Sequence, residues 1–323
     1  MSAVFVQILL LLLFISIGYL MGKLGKADKN QSKLLSALGF YIFLPANVFK
    51  TFSNNFTVEY LSQKYPLVLI SAVFVLVMIL IGIPVSKLLS KTPYTQSVYK
   101  YSLISSNYGY VGYTLAQALF GDTMLLNVMM FAVPLSIYTY SIGYCMLTKN
   151  KLSLKKLMGP VNIALVVGAI VGIVKPYAVS LFTNYMPGVV TFIAPVGQPL
   201  LKLITSFLDK AQGCMGPISM LLTGMVISEY KMKDMLSQKA VYVMSALRLL
   251  VIPCTVCGLM LLLGLKEFVT PVLIMLALPC GLNTIVFPKL IGEDCKPGAA
   301  LACITSVLCC ITIPFCLWLF GVY

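Results

Sequence analysis

The sequence lacks histidine altogether and has few acidic residues, nine against 23 lysines and arginines in 323 positions. Histidine is the side chain that most often exchanges protons or binds metals near neutral pH. None of the nine acidic residues pairs with another inside an apolar stretch, so two carboxylates cannot share acid and base roles there. These absences argue against an enzyme and leave no candidate for a catalytic, cofactor or metal site.

Charge of either sign is also scarce, since 10% of the residues are charged and 60% are hydrophobic. A soluble domain carries roughly 25% charged residues, and a water-facing surface cannot be built from so small a supply. Apolar stretches of about 20 residues, which cross a bilayer core as helices, recur along the whole length. The sequence therefore predicts an all-α integral membrane protein without a sizeable soluble domain.

The ten cysteines do not change this interpretation, because most of them lie inside apolar stretches. There a cysteine behaves as a small buried apolar residue. The formal net charge of +14 would suggest nucleic acid as the partner of a soluble protein. Here the lysines sit in short segments between apolar stretches, which is typical of membrane-protein loops, so we expect contact with membrane lipid and not with nucleic acid.

Ten transmembrane helices are predicted from the charged residues, glycines and prolines that interrupt the apolar stretches. They lie near residues 3–21, 34–51, 66–87, 99–120, 123–147, 160–175, 200–228, 240–264, 268–289 and 298–321. With the N-terminus outside, sixteen lysines fall in inner loops and four on the outer side. This asymmetry favours a cell-membrane protein with both termini outside.

Segment 177–197 is apolar enough to be mistaken for a further crossing, but Pro187, Gly188 and Pro195 interrupt it. If it crossed, every later loop would change sides and the lysine asymmetry would largely vanish. We therefore expect an outer insertion, either as a helix lying on the membrane or as a disordered insert.

Two matched positions predict an internal repeat. Pro45 of helix two and Pro217 of helix seven are 172 residues apart, and Gly121 and Gly292, at the exits of helices four and nine, are 171 apart. Because each half has five crossings, the second half enters the membrane from the opposite face, as in many secondary transporters. The predicted organisation is a first five-helix repeat over 1–148, a cytoplasmic linker over 149–159 and a second, inverted repeat over 160–323.

Helices four and nine carry glycines, prolines and polar side chains near mid-membrane, at 105–113 and 278–284. Such residues can unwind a helix, and the freed backbone groups then need a protein partner or a water-filled cavity. Two half-helix starts aimed at one point would offer N–H groups and positive dipole ends to a carboxylate. Alternatively, the glycines allow close packing and the asparagines bind neighbouring helices. The candidate ligands are Asn107, Gly109, Tyr110, Gly112, Gly281, Asn283 and Thr284.

Three prolines and one arginine complete the candidate site. Pro45, Pro217 and Pro279 are expected to kink or break their helices and so to shape a cavity wall. Arg248 is the only arginine and follows Lys239 by nine residues, a depth of about 13 Å in a helix. Such a deep charge is open to three interpretations: it binds an anionic substrate, pairs with a helix end, or extends back to the inner surface.

Several motifs together resemble the auxin efflux carrier family, which includes plant PIN carriers and bacterial organic-acid permeases. They are the stretches 18–22 (GYLMG), 43–46 (FLPA), 107–121, 217–224 and 248–253, and the region from Asn283 into the last helix. The resemblance implies two inverted five-helix repeats in which broken helices four and nine cross, with Asn107 and Asn283 as the crossover asparagines. It also implies rocking or elevator-like alternating access and small carboxylic acids as substrates.

The chain departs from the plant carriers because it lacks their long hydrophilic central loop and the prolines beside Asn107. The short-loop bacterial branch is more similar, which implies a bacterial inner membrane and an organic anion such as malate or malonate. The resemblance leaves coupling to Na+ or H+ and assembly into a homodimer open.

Two other transport mechanisms compete with an organic-anion carrier. A sodium-coupled symporter of the bile acid type uses amide and carbonyl ligands, and Asn107, Thr114 and Gln117 leave it open. A cation/proton antiporter normally needs membrane-buried acids, and helices four, five, eight and nine contain none at mid-span. A scaffold or receptor has no need of matched helix breaks.

Overall fold

The computed structural model describes residues 2–149, 159–289 and 295–322, and these are almost entirely helical. We number the membrane helices in chain order: α1 (Ser2–Lys23), α2 (29–55), α3 (Val58–Leu89), α4a (Pro93–Ile104), α4b (108–120), α5 (122–148), α6 (Pro160–Tyr185), α7 (Pro187–Ser228), α8 (Lys239–Leu262), α9a (Lys266–Leu276), α9b (Asn283–Lys289) and α10 (Lys296–Leu319). A short helix, Met232–Leu236, lies between α7 and α8. Most of the predicted linker 149–159 and the position of Gly292 lie outside the described residues.

Seven helices within these ranges are long and apolar enough to cross a membrane. The other predicted crossings are α1, of which Leu12–Lys23 qualifies as a shorter apolar helix, and the two broken helices, whose halves are each too short. Large apolar side chains point outward, among them Leu76 and Leu80 of α3 at 63% and 69% exposure. Such a surface is expected to face lipid, and the all-α membrane fold is confirmed.

Gly121 separates α4b from α5. Its φ of 79° and ψ of −173° lie outside the helical region and interrupt an otherwise continuous helix. Glycine adopts this conformation readily because it has no Cβ. The predicted boundary between helices four and five therefore lies where the sequence placed it.

The predicted boundaries of helices six and seven are wrong. Helix α6 continues to Tyr185 instead of ending near residue 175, and α7 begins at Pro187 instead of near 200. Segment 177–197 is therefore helical within these two helices and not a disordered insert, and its position outside the membrane stays a prediction. At 42 residues α7 is about 63 Å long, roughly twice the thickness of a bilayer core.

Two similar contacts join the halves of the chain. Helix α1 packs on α7, where a Cβ on Gly18 would overlap the carbonyl of Leu221. Helix α6 packs on α2, where a Cβ on Gly168 would lie 3.0 Å from the carbonyl oxygen of Phe49. Both glycines begin a G-x-x-x-G pattern, a sequence that lets helix backbones approach closely. The repeat stays a prediction, but this reciprocal packing is the pairing that it would produce.

The helices form two bundles. Helices α1, α2, α6 and α7 pack together, whereas α3, α5, α8 and α10 pack around the two broken helices α4 and α9. The bundles meet along α4b, where Gly109 approaches Leu44 of α2 and Thr114 approaches Gly216 of α7. We call them the outer-pair bundle (α1, α2, α6, α7) and the crossing bundle (α3 to α5, α8 to α10).

Replacing Gly18 or Gly168 by leucine is expected to lower the free energy of unfolding by about 1–3 kcal/mol, because added carbons must displace backbone. Gly258→Leu in α8 is the control, since a Cβ there meets no atom within 4 Å. Thermal unfolding of the purified protein in detergent measures the difference. Equal melting temperatures for all three variants would contradict the packing.

Candidate functional site

The two helix breaks cross and bind each other. Helix α4a ends at Ile104 and α9a at Leu276, and the segments that follow run antiparallel, with Ser106 bridged to Cys280. The N–H of Asn107 donates to the carbonyl oxygen of Pro279 at 2.9 Å. Unwound backbone in a membrane needs such partners. The predicted crossing of broken helices four and nine is therefore confirmed.

Two side chains provide further hydrogen bonds to the crossing backbone. The Ser106 hydroxyl donates to the carbonyl oxygen of Met275 at 3.0 Å, near the end of α9a. The N–H of Cys280 donates to Thr305 Oγ1 of α10, also at 3.0 Å. Pro279, predicted to shape a cavity wall, acts here through its carbonyl group.

The candidate glycines make the crossing sterically feasible. A Cβ on Gly281 would lie 3.1 Å from the carbonyl oxygen of Ser106. A Cβ on Gly112 would press on the side chain of Leu278, and one on Gly109 would lie 3.3 Å from Leu44. The close-packing interpretation of these glycines is thus supported, and a role of their N–H groups in ligand binding stays a prediction.

The start of α4b offers unused hydrogen-bond donors. The carbonyl oxygen of Asn107 accepts from the N–H groups of both Val111 and Gly112 at 3.0 Å, which opens a π-turn over Tyr108–Gly112. No side chain caps this end, and within the described residues the N–H groups of Tyr108 and Gly109 have no hydrogen-bond partner. The side chain of Tyr110 lies outside what the structure describes.

The two crossover asparagines differ in their environments. Asn107 is 4% exposed, and its side-chain amide makes no hydrogen bond to any described residue. Asn283 is half-buried and donates through Nδ2 to the hydroxyl of Tyr101 at 3.1 Å. Thr284 is buried and donates to the carbonyl oxygen of Gly281 at 2.8 Å, so its hydroxyl stabilises the first turn of α9b. Of these side chains, the Asn107 amide remains available to a ligand.

Pro45 and Pro217 flank the contact between α4b and the outer-pair bundle. Pro45 follows a π-turn over Gly39–Phe43, and its neighbour Leu44 approaches Gly109. Pro217 is half-buried, and its neighbour Gly216 is so close to α4b that a Cβ would lie 2.9 Å from Thr114 Cγ2. Both prolines therefore lie next to the start of α4b, and their effect on a cavity stays a prediction.

Arg248 is buried at 2% exposure and binds the end of α4a. Its Nη1 donates to the carbonyl oxygen of Leu103 at 2.9 Å and lies 3.5 Å from that of Ile104. These carbonyls close a helix whose C-terminus carries partial negative charge. Among the three interpretations, pairing with a helix end is what the geometry shows, and extension of the side chain to the inner surface is wrong.

Comparison with known proteins gives a family. The profile of the membrane transport protein family matches residues 3–317, nearly the whole chain. The chain belongs to this family. The resemblance to auxin efflux carriers is thereby confirmed, and the protein is a multi-pass membrane transporter. Among curated proteins, none matches it.

This membrane transport protein also contains polar contacts that the sequence did not predict. Buried hydroxyl pairs hold the first break against α5, namely Ser105 to Thr139 at 2.7 Å and Tyr108 to Ser136 at 3.1 Å. The hydroxyls are visible in the sequence, but no local spacing relates residues on different helices. Their pairing depends on the tertiary structure.

A second polar cluster lies beyond the start of α4b. Gln212 of α7 accepts from Lys50 at 2.5 Å, donates to Asn47 at 3.0 Å and lies 3.5 Å from Gln117 of α4b. Lys50 also pairs with Asp209 at 2.6 Å. The partner of Asp209 thus comes from the other half of the chain.

Thr305→Val should destabilise the membrane transport protein by about 1–3 kcal/mol, because it leaves the buried N–H of Cys280 unpaired. Thr305→Ser keeps the hydroxyl and should retain most of the stability. The matched control is Thr312→Val in the same helix, since the Thr312 hydroxyl is buried without a partner among the described residues. Thermal unfolding ranks the three variants, and equal losses at 305 and 312 would contradict the assignment.

Proposed function

We propose that this membrane transport protein is a secondary transporter that moves a small organic anion across the cell membrane by alternating access. The substrate is a carboxylate, with dicarboxylates such as malate or malonate as the first candidates. The observation that carries the proposal is the uncapped start of α4b, where unpaired N–H groups lie beside the free amide of Asn107.

An anion matches the charges around the crossing. The start of a helix carries about half a positive charge, and its N–H groups point toward a bound anion. Arg248 contributes a full positive charge, whereas the acidic residues of the crossing bundle lie at helix ends, at Glu59, Asp122 and Glu267. A carboxylate would accept from the N–H groups of α4b and from the Asn107 amide, and Asn283 would complete the site from the opposite half-helix.

The sodium-coupled alternative is less consistent with these contacts. Asn107 and Gln117, two of its candidate ligands, are ten residues apart, about 15 Å along α4b, too far to bind one ion. Gln117 also donates to Asp122 at 2.8 Å. An antiporter lacks its buried acid, because no acidic residue occurs at mid-span in helices four, five, eight or nine.

Alternating access would use the division into two bundles. The crossing and both crossover asparagines belong to the crossing bundle, which contacts the outer-pair bundle along the apolar and small residues of α4b. A rocking or elevator-like displacement of one bundle against the other would expose the start of α4b to each side in turn. The Gln212 cluster lies at this boundary and would close one side.

Asn107→Ala and Asn283→Ala should each reduce kcat/KM for labelled malate or malonate by about 10- to 100-fold, the effect of losing one hydrogen bond to a charged group. Uptake into proteoliposomes measures this loss. Asn184→Ala is the control, because Asn184 is exposed on α6 and binds only Ser180 of the same helix among the described residues. Unchanged transport in both crossover variants would contradict the site assignment. If the wild type transports none of the carboxylates tested, the anion proposal is wrong.

Uptake should not depend on sodium, since the candidate ligands Asn107 and Gln117 are too far apart to bind one ion. Replacing external Na+ by N-methylglucamine is expected to leave the initial uptake rate unchanged at fixed pH and membrane potential. A steep dependence of the rate on Na+ would favour the bile-acid-type symporter instead. The same vesicles with an imposed pH gradient measure coupling to protons.

A further inference from the structure

Arg248 carries a buried charge for which the described residues provide no carboxylate. The ion pairs found there join Lys50 to Asp209 and Lys64 to Glu267, and neither involves Arg248. Its Nη1 binds the end of α4a, while Nε and Nη2 are buried without a partner in the described part of the chain. Burying an unpaired charge costs several kcal/mol, and such residues in membranes usually serve function.

The end of α4a determines the position of Asn107. Three residues separate Ile104 from the start of α4b, and contacts hold all three: Ser105 to Thr139, Ser106 to Met275 and Asn107 to Pro279. An extended segment this short reaches only about 10 Å. Any displacement of Ile104 must therefore be passed on to Asn107 and to the free N–H groups behind it.

Arg248 reduces the repulsion among the partial negative charges of the carbonyl groups at the end of α4a. The last carbonyl groups of α4a carry the negative end of the helix dipole, and lipid offers them no water. The guanidinium group donates to these carbonyls and neutralises them. Because Nη1 is occupied by these carbonyls, this part of the guanidinium group is not free to bind a substrate.

We propose that Arg248 is a positioning residue: its charge holds the end of α4a and thereby sets the place of Asn107 for anion binding, without contacting the anion. This inference rests on the proposed function for its transport consequences, although the geometry of the break is independent of any substrate. A positive charge is required at this place, whereas the forked shape of arginine is not. Lysine should therefore substitute in large part and glutamine should not.

Disulfide formation across the crossing reports the geometry of the break. Antiparallel bridged residues have Cα atoms about 4.5–5.5 Å apart, within the range of a disulfide. Ser106→Cys in a background that retains Cys280 and has the other nine cysteines replaced by alanine should therefore cross-link rapidly with copper phenanthroline in native membranes. In this background, Arg248→Gln should slow cross-linking about tenfold, whereas Arg248→Lys should stay within about threefold of the parent.

In parallel, the transport of labelled malate and malonate is measured in variants that retain the native cysteines. Arg248→Gln should raise KM at least about tenfold, and Arg248→Lys should recover most of the affinity. Lys100→Gln is the control, since it removes a half-buried positive charge from α4a away from the break and should leave cross-linking unchanged. Thermal unfolding and gel filtration confirm that each variant is folded. If Arg248→Gln does not fold, the cross-linking and transport of Arg248→Lys alone test the positioning role.

The outcomes separate the two proposals. Parent-like cross-linking in Arg248→Gln overturns the positioning role, and loss of transport in that case means that Arg248 binds the substrate. A folded Arg248→Lys variant as impaired as Arg248→Gln also overturns it, because the charge alone would not suffice. If cross-linking follows the prediction but the wild type carries no carboxylate, the proposed function fails and the positioning of the break stands.

Discussion

The structure depends on the mutual satisfaction of two unwound segments in the membrane interior. Between α4a and α4b, and between α9a and α9b, the helix no longer supplies its own hydrogen bonds, and lipid cannot replace them. The N–H of Asn107 on the carbonyl of Pro279, the Ser106–Cys280 bridge and the hydroxyls of Ser106 and Thr305 provide those partners. Each break therefore depends on the other for hydrogen-bond partners, and the crossing fixes the positions of the helices around it.

The four half-helix ends at the crossing differ in their hydrogen-bond partners. The carbonyl ends of α4a and α9a are occupied, by Arg248 and by Ser106. The Thr284 hydroxyl donates to the carbonyl oxygen of Gly281 just before α9b, and no side chain caps the start of α4b. Donors of the protein thus bind the negative ends of α4a and α9a, whereas the start of α4b has no side-chain cap, and the proposed anion would bind there.

Much of the fold was predictable because its signals are local. Apolar length predicts the crossings, and the residues of 105–113 and 278–284 predict the breaks, since glycine, proline and asparagine act on their own backbone. The error at helices six and seven has a local cause as well. Pro187 was taken as an interruption, yet proline is well tolerated in the first turn of a helix, and α7 begins at that residue.

The sequence by itself determined the membrane fold, the positions of the breaks and the scarcity of acidic residues inside the membrane, because composition and periodicity suffice for these. Only the tertiary structure decided which groups meet. Arg248 binds a carbonyl 145 residues earlier in the chain, and Lys50 binds Gln212, 162 residues later. Single-sequence patterns describe neighbours along one helix, and they contain no information on which helix lies opposite. That Arg248 binds the end of a helix is therefore known from the packing alone.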